Sequence, residues 1–196
     1  MGCFLLILEM KQKIVLTLCL LNLFFPGCKT KEDKKESFFP ILSFIKSQVA
    51  HVDTSLYKIT KMVSRGSLWD TSYIKREEFR SHAAEFLESP DLTEKKYSTG
   101  YQETKFFDAS LNRAIFSYLP KDKNAPVQRE EVTIEPGQGE RDKVKNIIID
   151  KLVASTDSSS ITKRLLWTVD ESFQVTTIIQ KPGQRDSIQT TKISWE

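Results

Sequence analysis

At 196 residues, with 39% hydrophobic and 28% charged side chains, the chain has the length of one ordinary domain and the composition of a globular protein, which excludes a disordered one. The formal net charge of +3 comes from 29 basic and 26 acidic side chains mixed along the sequence, so no basic face recommends a nucleic acid and none is expected as a partner. Cys3, Cys19 and Cys28 are the only cysteines, which leaves everything after position 28 without a thiol for a disulfide, a nucleophile or a metal.

The first element is a secretory signal over 1–27. Lys11 and Lys13 supply a short basic start, Ile14 to Phe25 an apolar run broken only by Thr17 and Asn22, and Pro26-Gly27 a helix break ahead of Cys28. As a helix the run is roughly 18 Å long, short of the ~30 Å hydrocarbon core, so a cleaved signal is favoured over a spanning anchor. Glu9 puts an acid ahead of the basic start, which points to Met10 as the true first residue. Phe25-Pro26-Gly27-Cys28 resembles a lipobox, the processing site of bacterial lipoproteins. That resemblance rests on these residues alone, with Phe25 where Leu is usual and Pro26 where a small residue is usual. It implies lipid attachment to Cys28, cleavage before it, and a lipid-anchored place in the cell envelope, on the outer membrane in its periplasmic or surface-facing leaflet. Residues 28–37 are charged and carry no apolar side chain beyond the cysteine, so they read as a solvated tether. Lys31-Glu32-Asp33 within it also resembles a surface-export signal of such lipoproteins.

From residue 38 to 196 the pattern predicts a single α+β domain. Ile41, Ile45, Val49, Val52, Leu56, Ile59 and Val63 recur at spacings of three and four, which predicts one long amphipathic helix over 38–65 with Val52 and Leu56 near the centre of its buried stripe. Pro40 suits the first turn and Gly66 the stop. Residues 64–72 read as a polar connector holding Trp69. A second helix is expected over about 74–88, with Ile74, Phe79, Ala83, Phe86 and Leu87 inward and Pro90 ending it. From Lys96 the period changes to two, and strands are expected near 97–107, 111–119, 128–135, 144–153, 161–169, 172–180 and 187–195. Asp170-Glu171 marks a tight reversal and Lys181-Pro182-Gly183-Gln184 a type II turn. Short connections make the strands an antiparallel meander of about six to seven strands curled on the long helix, in outline like cystatin, NTF2-like or lipoprotein-carrier half-barrel folds.

Chemistry-bearing patterns are sparse. The sequence has no G-x-S-x-G, H-E-x-x-H, P-loop or G-x-G-x-x-G motif. Glu78, His82 and Glu85 share a helix face at the spacing metal ligands need, but the ordinary reading is a solvated, ion-paired face, and no metal or cofactor is expected. Glu131 and Glu135 on one strand face lie about 13 Å apart at about 3.3 Å per residue, too far for paired acid–base work on one bond, with Arg129 and Lys145 placed to neutralise them. The aromatics of the early strands are mostly core. Phe106, Phe116, Tyr118 and Trp167 are the residues expected to line an apolar ligand pocket, if the sheet encloses one. The expectation is therefore a non-enzymatic, membrane-anchored binding protein for an apolar small ligand or an envelope protein. A structural docking role and an NTF2-like enzyme are the alternatives. A dry groove would favour a carrier, a polar cavity the enzyme, and a filled core with exposed apolar residues docking.

Overall fold

A computed structural model describes residues 38–137, 139 and 141–196 of the chain. The expected signal over 1–27, the expected start at Met10, Cys28 and the expected tether over 28–37 lie outside the described residues. Ser37–Glu196 is one compact unit.

The fold corrects the expected α+β architecture. Nine strands occupy 51% of the described residues and helices only 18%. Helix α1 spans Ile41–Thr54, not 38–65. It ends because Thr54 Oγ1 donates to the Ala50 carbonyl at 3.1 Å while Ser55, already extended at ψ 171°, donates through Oγ to Val52 O at 2.9 Å. Residues beyond it enter strand β1, Ile59–Arg65, which forms a hairpin with β2, Leu68–Tyr73. The supposed polar connector is this hairpin, turned at Gly66, whose φ of +61° belongs to the region glycine adopts without cost. Ile41, Ile45, Val49 and Val52 are buried as the stripe predicts, whereas Leu56 is 94% exposed in the link to β1.

The second helix is also broken, into α2, Arg76–His82, and α3, Ala84–Leu87; a further turn, α4, covers Lys95–Ser98. The remaining strands are β3 Tyr101–Asp108, β4 Arg113–Pro120, β5 Val127–Glu135, β6 Lys143–Thr156, β7 Ser159–Thr168, β8 Ser172–Gln180 and β9 Ser187–Trp195. All pair antiparallel in the order β2-β1-β9-β8-β7-β6-β5-β4-β3. The first hairpin of the sheet therefore pairs with its last strand. Lys58 and Glu196 exchange backbone hydrogen bonds at 2.9 and 3.3 Å where that pairing begins. The expected reversals are present: Asp170 adopts φ +61°, and Gln184 N–H donates to Lys181 O at 3.1 Å across a turn with Gly183 at φ +71°.

The helices cover one face of the sheet. Phe79 and Phe86 insert into an aromatic cluster with Trp167, Phe173 and Trp195, with ring centroids 5.2–5.3 Å apart along Phe79–Trp195, Phe86–Trp167 and Trp167–Phe173. Ile147, Ile149, Leu165 and Ile193 complete the floor. The cystatin, NTF2-like and carrier outlines required the sheet to wrap a long helix. A 14-residue α1 lying beside α2 and α3 removes that basis.

Candidate functional site

The four sequence candidates separate by strand parity and depth. Trp167 and Tyr118 are buried on the helix-covered face, Phe116 is half-buried on that same face, and Phe106 is 63% exposed. Phe106 pairs with Ile115 while Phe116 pairs with Lys105, so consecutive positions put Phe106 on the opposite side of the sheet. Tyr118 is tied to the entry of α1: its hydroxyl oxygen accepts the Phe39 N–H at 2.8 Å and its ring lies 4.6 Å from Phe38. Burial raises its phenol pKa well above the usual tyrosine value. Trp167 and Tyr118 thus fill the interior, and Phe106 faces solvent.

The interior has a charged layer, of which the alternation pattern marks only Lys163, where it interrupts the face of Ile161, Leu165 and Trp167. Glu130, Lys151 and Lys163 occupy the apolar register of their strands: Glu130 pairs with Ile149 and Tyr118, Lys151 with Lys163, and their same-face neighbours are Val132, Ile149 and Leu165. Lys163 forms an ion pair with Glu85 of α3, and Lys151 Nζ donates to the Glu85 carbonyl, so both lysines bind the helix down onto the sheet. Burial pushes the Lys151 ammonium below its usual pKa. Glu130 is only 3% exposed. Its carboxyl is pushed up to about 8, first by burial and then by Asp91, against the opposing pull of Lys151. The available signal was a charge in phase with Val132 and Ile134.

The Glu78, His82 and Glu85 set does not converge. The helix breaks at Ala83 between His82 and Glu85; Glu78 Oε2 accepts the Lys75 N–H at 3.3 Å, and Glu85 is taken by Lys163. His82 is lowered by burial, then by Lys61, with Glu78 opposing. Among the described residues, no group of three His, Cys, Asp or Glu side chains is placed to hold a metal ion. On the uncovered face, Arg129 contacts Glu131 at 3.1 Å and Asp150 at 3.0 Å, while Glu135 meets Arg113 at 3.0 Å and Lys145 at 3.6 Å. These carboxylates are neutralised in pairs.

Exposed apolar side chains gather instead on the two outermost hairpins. Leu68, Trp69 and Tyr73 stand out on β2, all six residues of which are exposed, and an open cleft of about 290 Å³ runs between Val63, Arg65, Leu68, Trp69 and Asp70. At the other margin Phe106, Phe107 and Leu111 surround the β3–β4 turn, which Asp108 holds by accepting the Ser110 and Leu111 N–H groups at 2.9 and 3.2 Å. Comparison with known proteins adds nothing to this description: no family model, no curated protein and no solved structure matches the chain.

Proposed function

We propose that the chain is a bacterial lipoprotein, anchored to an envelope membrane through lipid on Cys28, whose nine-strand domain acts non-catalytically as a docking module for another envelope protein. The carrying observation is the distribution of apolar side chains. Of the largest inner-face residues, Trp167, Phe79, Phe86 and Phe173 pack against one another and Tyr118 packs on Phe38, while Phe106, Phe107 and Leu111 stand exposed around the turn that Asp108 holds. Phe106 and Phe107 stand on opposite faces of this hairpin with Leu111 in the turn between, so its tip is apolar on both sides, and exposed apolar area of this kind marks a place that meets another macromolecule. A carrier of apolar ligands needs the opposite arrangement, with the interior hollow and the rim polar. The Lys11 to Cys28 segment supports the anchor.

Two experiments test the halves separately. Cys28→Ser should abolish metabolic lipid labelling and leave uncleaved precursor in the membrane; normal processing of that variant refutes the anchor. A photo-crosslinking side chain at Phe106 or Leu111 should trap an envelope protein of one defined mass in the native host, and the same group at the exposed Lys192 should not. Absence of any adduct at both turn positions refutes docking through this hairpin.

A further inference from the structure

The β2 margin carries a feature that docking through β3–β4 does not use: a free strand edge whose residues are complementary to themselves. Among the described residues β2 pairs only with β1, and its other edge is open. The hydrogen-bond phase of that edge follows from one contact. Ile74 N–H donates to Ile59 O at 3.2 Å, and Ile59, Lys61, Val63 and Arg65 stand opposite Ile74, Ser72, Asp70 and Leu68. Antiparallel ladders alternate, so Ser72, Asp70 and Leu68 turn their amides toward β1, whereas Trp69, Thr71 and Tyr73 turn theirs toward the open edge. The Lys58–Glu196 pair fixes the complementary phase on the β9 side of β1 and agrees with it.

We infer that β2 pairs with β2 of a second copy of this chain, antiparallel about a two-fold axis at Thr71, joining the two sheets into one. Three registers compete near the strand centre. An axis at Asp70 sets Asp70 against its own copy, a like-charge contact that destabilises cross-strand pairs. An axis at Ser72 sets Asp70 against Ile74 and runs Trp69 past the end of the strand against Lys75. The axis at Thr71 pairs Thr71 with Thr71, Trp69 with Tyr73 and Tyr73 with Trp69, all through outward-turned amides, and puts Asp70 opposite Ser72. It also places both aromatic pairs on one face, and Lys58 Nζ, already 4.4 Å from the Tyr73 ring centre, lies at that pair's flank. Strand edges in proteins that stay apart carry lysine, proline or a bulge. The residues of β2 are Leu-Trp-Asp-Thr-Ser-Tyr, with none of these and with an unbroken register to β1, while the opposite margin, β3, carries Lys105 and Glu103. The partner that fits this edge is therefore the same edge.

The test uses the full chain in its bacterial host. In a hydrogen-bonded antiparallel pair the Cα atoms are about 5.5 Å apart, within disulfide reach, so Thr71→Cys should give a covalent dimer on mild oxidation. Thr104→Cys, exposed on β3, should give no more dimer than the unsubstituted chain, which sets the background. Thr71→Pro removes only an outward N–H, so the purified protein should keep its circular dichroism and fall from twice the chain mass to once by light scattering. Equal cross-linking at positions 71 and 104 overturns the inference, as does an unsubstituted protein that is monomeric at about 100 μM, or one that forms open-ended polymers. A monomer whose Trp69 fluorescence shifts on vesicles overturns it in favour of a lipid surface.

Discussion

Glu130→Gln should stabilise the domain at neutral pH and leave it unchanged in acid. The folded carboxyl titrates at about 8 and an exposed one at 4.5, so the folded state holds its proton to higher pH than the unfolded state does. The resulting stability relation has a fixed sign. Below 4.5 both states are protonated and burial of the neutral acid carries no ionic penalty. Between 4.5 and 8 unfolding releases a proton, and stability falls by about 1.4 kcal/mol per pH unit. Above 8 the full loss is in place. Glutamine has the same shape and cannot ionise, so the variant escapes this loss. At pH 7 the gain is about 3 kcal/mol, at pH 4 less than about 0.5 kcal/mol, and the difference levels off above pH 8. Urea unfolding followed by tryptophan fluorescence at pH 4, 7 and 9 measures it directly, because Trp167 and Trp195 sit in the core. A Gln variant that is no more stable than the parent at pH 7, or a gain that is the same at pH 4 and pH 7, refutes the reasoning.

Other substitutions test the corrected fold. Ile45 is fully buried on α1, so Ile45→Ala should cost roughly 2–5 kcal/mol in denaturant unfolding, whereas Leu56→Ala, at a position 94% exposed, should stay within about 0.5 kcal/mol. Equal effects would restore the continuous 38–65 helix. Gly183 adopts φ +71° with open space around its Cα, so Gly183→Ala should destabilise by about 1 kcal/mol through backbone strain alone, read as a lower urea midpoint with an unchanged slope.

The strands from β3 onward were legible because each alternates within itself and neighbours follow at hairpin distance. The observed β8, Ser172–Gln180, and β9, Ser187–Trp195, coincide with the stretches expected from alternation. The misreading over 38–65 has a specific cause. Ile59 and Val63 are four apart, a spacing that suits one helix face and, being even, equally one strand face. Lys61 between them lies in register with Ile193 of β9. The break after Thr54 was written only in Thr54 and Ser55, whose hydroxyls bond back to the last turn. Among the ligand-lining candidates, aromatic type alone does not reveal side: Phe106 pairs with Ile115, the neighbour of Phe116, and so faces away from it. Glu130 was overlooked beside Glu131, although it is Glu130 that shares the face of Val132 and Ile134.

The sequence alone determined the antiparallel meander that begins at Tyr101, its turns and the buried first half of the amphipathic stripe, since each of these depends on residues close together in the chain. Only the tertiary structure decided that residues 59–73 are a hairpin. Local pattern left helix and strand balanced there, and the choice fell to hydrogen bonds with β9, at the far end of the chain, which supplies β1 with the partner that a strand needs and a helix does not. The same long-range pairing left β2 as an open edge, and only tertiary packing left Glu130 3% exposed.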